Sequence, residues 1–244
     1  MRSDRTDKGS QDRVRVWDTP TRLFHWILVL LIASAWISFE YSEKFGDFTL
    51  RWHRWNGMAI LVLIVWRLVW GFVGSSTARF ANFVKWPWQA AGYGLDLLRG
   101  RDRHFLGHNP LGTYMILALL GLVALQATLG LFTLEHNDTV AGPLKRLVAD
   151  EERIKLISYL HRRGFNIILA FVGLHVLANL GYQLVKKDPL ITGMITGRKP
   201  AGDYEDEAEA RIGARPLLRA FLWLLVAVTI VFGTILGLGG KLTP

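Results

Sequence analysis

Residues 156 to 185 read LISYLHRRGFNIILAFVGLHVLANLGYQLV, an apolar stretch long enough to cross a bilayer that nevertheless contains His161 and His175. An ionisable side chain inside such a segment is expensive, so it marks a functional site by default. Fourteen residues at about 100° each amount to four turns less about 40°, which puts both imidazoles on nearly one helix face, roughly 21 Å apart along the axis. One face therefore offers two ligands at two depths.

Two further histidines stand at matching depths. His25 opens an apolar segment over 23–39, and His53 opens another over 52–73. If these segments run antiparallel as neighbours, their histidines lie at opposite membrane faces. One then meets the start of the 156–185 segment and the other its far half.

The composition fixes the class. Hydrophobic residues make up 51% of the chain, and long charge-free runs recur, which indicates an all-α integral membrane protein. Five spans are expected, over about 23–39, 52–73, 110–134, 156–185 and 217–239; the first is short and needs its interfacial flank to cross. The 29 Lys and Arg exceed the 20 Asp and Glu, but they collect beside apolar spans. The partner this implies is membrane lipid with anionic headgroups, not nucleic acid.

Basic residues also set the orientation. With the N-terminus in the cytoplasm, the cytoplasmic segments (1–22, 74–109 and 186–219) hold 18 Lys and Arg, against 10 in the outer segments (40–54, 135–163 and 240–244). Five crossings then leave the C-terminus outside. No small-residue cleavage motif follows the first span, which continues as Phe39-Glu40-Tyr41-Ser42-Glu43, so it reads as an uncleaved anchor. In this orientation His53 meets His161 near the outer face and His25 meets His175 near the cytoplasmic one. The charge count fixed the orientation without reference to the histidines.

Two histidines at each of two depths suit a planar macrocycle with two open axial positions, because bis-imidazole ligation of haem iron takes one ring nitrogen from each side. The axial separation argues against a single four-histidine metal site. The chain has no cysteine, which excludes covalent c-type attachment and cysteine-held iron–sulfur clusters and leaves two non-covalent b-type haems. Haem propionates need cations near the interface. Arg51, Arg54, Arg162 and Arg163 surround the outer histidines, and Arg22 precedes His25. Arg67, fourteen residues after His53, has two open readings, snorkelling to the cytoplasmic surface and binding a propionate. Gly57, Gly164 and the series Gly112, Gly121 and Gly130 permit close approach of either a neighbouring helix or a macrocycle.

The ordered motifs Val16-Trp17-Asp18-Thr19-Pro20-Thr21-Arg22-Leu23-Phe24-His25-Trp26, Trp52-His53-Arg54-Trp55-Asn56-Gly57, Arg67-Leu68-Val69-Trp70-Gly71-Phe72-Val73-Gly74 and Gly107-His108-Asn109-Pro110-Leu111-Gly112, followed by His161 and His175, resemble the bacterial cytochrome b561 family. Within it they are most similar to the branch that includes nickel–iron hydrogenase cytochrome b subunits. The resemblance covers roughly residues 13–200. It implies a four-helix transmembrane bundle in the bacterial inner membrane, holding two haems with His25, His53, His161 and His175 as axial ligands. It further implies electron transfer between the quinone pool and a periplasmic redox partner such as a c-type cytochrome or a hydrogenase. The fifth span lies outside the family's minimal core.

The domain plan is then a flexible N-terminus over 1–15, a di-haem domain over 16–200, an acidic linker over 201–216 and a fifth transmembrane helix over 217–239. Residues 80–100, with Trp86-Pro87-Trp88, read as an interfacial helix. The mixed-charge outer loop over 135–155 reads either as a solvated loop or as a dock for a soluble redox protein. His104 and His136 fall in polar loops. Asn109 and Pro110 open the third span, and His108 beside them has a local structural role or contacts a quinone or proton. Two other functions are weighed against an electron carrier. A stand-alone superoxide–quinone oxidoreductase would use the basic outer entry, whereas a transporter or inert anchor would leave four span histidines without employment.

Overall fold

The computed structural model describes residues 13–45, 47–101, 103–135, 140–206 and 211–242. Five of its helices are long and apolar enough to cross a membrane. They are α1 (Thr19–Glu40), α3 (Asp47–Val73), α6 (Pro110–Gly130), α7 (Glu151–Leu184) and α9 (Pro216–Gly237). Short helices α2 (Ser42–Phe45), α4 (Phe80–Phe83), α5 (Pro87–Leu98) and α8 (Leu190–Thr196) lie between them.

Local chemistry sets the helix starts and shifts several expected boundaries. Asp18 caps α1 by accepting from the Thr21 N–H at 2.7 Å, with Pro20 in the first turn. The helix therefore begins before residue 23, and at 22 residues it is about 33 Å long, enough to span unaided. Asn109 caps α6 through the Gly112 N–H at 2.7 Å, ahead of Pro110. That helix stops at Gly130 and not at 134, because Leu134–Glu135 (β2) pairs antiparallel with Val140–Ala141 (β3). Asp150 accepts from the Glu152 and Arg153 N–H groups, so α7 starts at Glu151, five residues earlier than its apolar run. Glu151 and Glu152 then sit at the positive end of its dipole.

α3 is the central element, packed on α1, α6 and α9, while α6 also packs on α7. Met58, Val62, Trp66 and Trp70 of α3 are buried in one cluster with Ala220, Ala227, Val231 and Ile235 of α9. Ile60 and Ile64 form a second cluster with Val123 and Ala127 of α6 and Ile168 of α7. The Trp66 indole N–H donates to the Ala220 carbonyl at 2.9 Å. The fifth long helix is thus built into the bundle core. Large apolar side chains such as Leu30, Phe72, Leu177 and Leu184 face outward, as a lipid-facing surface requires.

Residues 13–15 are not free, contrary to the expectation of a mobile arm over 1–15. Arg13–Arg15 (β1) pairs antiparallel with Arg198–Pro200 (β4), Val14 opposite Lys199; residues 1–12 lie outside the described residues. The acidic linker is anchored too. Glu205 accepts from Arg103 at 2.6 and 2.7 Å, and the Asp206 carboxylate accepts from the Leu106 and Gly107 N–H groups at 2.5 and 2.9 Å; residues 207–210 lie outside the described residues. Bonding to Arg103 holds the Glu205 carboxyl below its usual range. In the 80–100 stretch, α5 buries Ala90 and Tyr93, and leaves Trp86 and Trp88 exposed and stacked at 5.0 Å.

Lys199 is 1% exposed. Its ammonium donates to the Phe105 carbonyl at 3.0 Å and lies 2.8 Å from Asp188. Breaking one side of a buried pair strands the other charge, at a cost of about 3–5 kcal/mol. Lys199→Met should therefore lower the thermal unfolding midpoint in detergent, and adding Asp188→Leu should recover most of the loss. An unchanged midpoint in the single variant would show that the pair is not a stability element.

Candidate haem-binding site

α7 presents His161 and His175 toward two different helices. His175 faces His25 of α1, with ring centroids 6.4 Å apart and planes at 46°. His161 faces His53 of α3, at 6.1 Å and 89°. One ion bonded to an imidazole on each side, at about 2.0–2.1 Å per bond, would hold the ring centroids about 6 Å apart. Among the described residues there is no cluster of three or more histidine or acidic side chains able to enclose a metal. Each pair thus offers two nitrogens, a donor set suited to a group that supplies its own remaining ligands.

Hydrogen bonds orient the second pair. Nδ1 of His53 lies 2.8 Å from the Ala35 carbonyl, and Nδ1 of His161 lies 3.0 Å from the Gln126 carbonyl. A carbonyl only accepts, so each Nδ1 carries the proton and each Nε2 keeps its lone pair for a metal. Two cavities adjoin at this pair, sharing Phe39, His53, Gly57, Ala127 and His161 in their linings; the larger has a cavity volume of ≈ 170 Å³ and opens to the outside. A Cβ on Gly57 would meet nothing within 4 Å, so this glycine leaves the cavity its width. The pair and its cavities fit a flat apolar group with two axial positions.

The first pair has different surroundings. His25 Nδ1 is buried without a hydrogen-bond partner. Asn179, one turn beyond His175, donates to the His175 carbonyl at 2.7 Å and places its amide nitrogen 3.4 Å from both ring nitrogens. Arg67 is 4% exposed, stacks on Phe80 at 4.9 Å and leaves Nη1 buried and unpartnered. Its guanidinium is thus withheld from the surface, against the snorkelling alternative. An orphaned buried cation and an orphaned imidazole nitrogen at one end of the bundle fit a bound anionic group better than they fit a closed protein core.

Other candidates are placed less directly. Arg22 donates to the Ile195 carbonyl at 2.6 Å and Arg54 to the Lys241 carbonyl, so each already holds a backbone partner, although both have a buried Nε without one. Arg162 lines the larger cavity and is otherwise exposed. Gly164 is a helix-packing residue: a Cβ there would meet the Gln126 amide at 2.7 Å. His108 lies between the Trp17 and Phe83 rings, at 4.5 and 4.6 Å, with Nδ1 buried and unpartnered. Burial, then the nearby charges of Arg67 and Lys199, push its pKa down to about 3. His136 lies outside the described residues.

Sequence reasoning missed Gln126. Its side-chain amide donates to the His161 main-chain carbonyl at 2.7 Å, and its main-chain carbonyl faces His161 Nδ1. A lone amide in the apolar run of α6 was the available signal. Gly130, noted only as part of a glycine series, is where a Cβ would meet the His161 ring at 3.0 Å.

Residues 16–197 match the family model described as prokaryotic cytochrome b561. The chain is 23% identical over 223 residues to a probable Ni/Fe-hydrogenase B-type cytochrome subunit of Rhizobium leguminosarum bv. viciae, covering 79% of this chain and 91% of that protein. It is 24% identical to the probable Ni/Fe-hydrogenase 1 B-type cytochrome subunit of Escherichia coli K12, covering 75% and 88%. It is also 24% identical to a probable Ni/Fe-hydrogenase B-type cytochrome subunit of Rhodobacter capsulatus, covering 78% and 82%. The matched region runs from the cap of α1 to the end of α8 and takes in both facing histidine pairs; the chain belongs to the prokaryotic cytochrome b561 family, and is a multi-pass bacterial membrane protein of electron transfer that carries haem b.

Proposed function

We propose that the chain binds two b-type haems, one between His25 and His175 and one between His53 and His161, and carries electrons across the membrane between the quinone pool and a periplasmic redox protein. The observation that supports this reading is the facing of two imidazole pairs, at 6.4 and 6.1 Å, four turns apart along α7. Haem held in this way supplies the one-electron chemistry of its iron. The chain's own contribution is placement. α7 fixes the distance between the sites at roughly 21 Å, α1 and α3 each close one site, and the apolar clusters between them exclude water.

The proposed orientation has a cytoplasmic N-terminus and a periplasmic C-terminus, from the excess of basic residues on one side. The His53–His161 pair is then periplasmic and the His25–His175 pair cytoplasmic. The relatives are named as hydrogenase subunits, which supports a hydrogenase as the redox partner. Of the candidate propionate cations, Arg67 is favoured by its buried, unpartnered Nη1. Arg22, Arg54 and Arg162 sit nearer the surface or hold carbonyl partners.

Pyridine haemochrome analysis against protein concentration should approach two haems per chain. His25→Ala and His175→Ala should lose the same haem, and His53→Ala and His161→Ala the other. A residual spectrum shared by His25→Ala and His161→Ala would overturn the pairing, and a ratio near one would remove a pair.

Arg67→Leu should lower the occupancy of the His25–His175 site or shift its midpoint potential, leaving the other site close to wild type. The readouts are haem content and a redox titration followed by absorbance. If neither site changes, Arg67 holds no propionate.

A further inference from the structure

Buried polar atoms without a hydrogen bond gather at one end of the bundle. Thr21 Oγ1, His25 Nδ1, Arg67 Nη1, Ser75 Oγ and His108 Nδ1 are all such atoms, and they come from the start of α1, the last turns of α3 and the segments that follow α3 and precede α6. Each buried polar atom left unpaired in a folded protein calls for an explanation, a bound group among them. Arg67 has a propionate to answer it; His108 has no assigned partner.

His108 occupies an aromatic slot that does not need a histidine. Its ring lies 4.5 Å from Trp17 and 4.6 Å from Phe83, a setting that a phenyl ring would fill without burying an unpaired nitrogen. The same aromatic group leads to Arg67, because Phe83 touches Phe80 at 5.7 Å and the Arg67 guanidinium stacks on Phe80. Trp17 leads to His25, since the adjoining Asp18 caps α1 about two turns before it. Burial first, and then the charges of Arg67, Lys199 and His175, hold the His108 imidazole neutral. It is an uncharged donor beside a charged one.

The main chain ahead of His108 is held from outside. Lys199 donates to the Phe105 carbonyl at 3.0 Å, and the Asp206 carboxylate accepts from the Leu106 and Gly107 N–H groups at 2.5 and 2.9 Å. Two side chains from beyond α8 thus fix three consecutive residues, and the fourth is His108.

We infer that His108 is a second polar partner of a carboxylate of the haem held by His25 and His175, donating an N–H to it beside Arg67, and that Asp206 is the positioning residue that presents it. A carboxylate accepts several hydrogen bonds at its two oxygens, so a guanidinium and a neutral imidazole can serve it together. The inference rests on the proposed ligation by His25 and His175 and adds to that site a residue from the segment before α6.

The test uses the purified full chain from cells fed δ-aminolevulinate labelled with carbon-13 at its carboxyl carbon, which places the label in the haem carboxylates. Redox-difference infrared spectra then report those carboxylates by their isotope-sensitive bands. His108→Phe keeps a ring between Trp17 and Phe83, and should shift one labelled band and speed haem loss to apomyoglobin from that site by roughly ten- to a hundredfold, as loss of a hydrogen bond to a charged group predicts. His108→Gln keeps a donor and should stay nearer wild type. His175→Ala lacks that haem and should lack the shifted band. Asp206→Ala should move the same band, and decides the matter if His108→Phe does not assemble. Labelled bands left in place by His108→Phe, or a shifted band that persists in His175→Ala, would overturn the role of His108, as would an effect confined to the reaction with an added quinone. A silent Asp206→Ala beside an active His108→Phe would overturn the positioning role. Wild-type haem content in His175→Ala would instead overturn the ligand pair, so the two failures are distinguishable.

Discussion

Everything in this molecule depends on one helix carrying two imidazoles fourteen residues apart without a break. α7 runs 34 residues, and its α-helical rise turns that interval into a fixed distance and nearly a common direction. The neighbours must then bring partner imidazoles to the same two levels. α1 does so near its N-terminus with His25 and α3 near its own with His53. Because the two helices run in opposite directions, two N-terminal histidines arrive at opposite ends of the bundle. The turn through α2 that joins them is a consequence of this requirement.

The spans and the histidine levels were legible in the sequence because the signals are local or periodic. Apolar runs give helix number, caps such as Asn109 and Asp150 give starts, and the rise per residue converts spacing into depth. What was not legible depends on segments far apart in the chain. Arg67 could be read as surface-bound until Phe80 of α4 was seen folded over it. Arg13–Arg15 is an alternating Arg-Val-Arg segment too short to mark a strand by itself, and its strand partner lies at the far end of the cytochrome domain. The acidic run around Asp206 resembles a solvated linker, yet its carboxylate finds free N–H groups at Leu106 and Gly107. Composition reports how polar a segment is; it does not report which orphaned backbone donors lie within its reach.

Glycine illustrates the same limit at residue scale. Gly57, Gly130 and Gly164 are indistinguishable as letters within apolar helices. In the structure, Gly57 borders open cavity, Gly130 borders a histidine ring and Gly164 borders the Gln126 amide. A missing Cβ means that something passes close by or that space is kept open. Only the neighbours decide between those uses.

The fifth helix gains its meaning from the two faces of α3. Gly57, Ile60 and Ile64 follow His53 along the site face, packing toward α6 and α7, whereas Met58, Val62, Trp66 and Trp70 recur every four residues along the opposite side and pack toward α9. Two buried tryptophans in that second row present indole N–H groups that need acceptors. Trp70 donates to Asp18 at 3.2 Å and Trp66 to the Ala220 carbonyl at 2.9 Å. α9 therefore supplies both apolar surface and an acceptor, although it lies beyond the region matched by the family model. Close packing fixes how a helix can rotate about its axis. By locking the tryptophan face, α9 sets the rotation of α3, and that rotation aims His53 at His161.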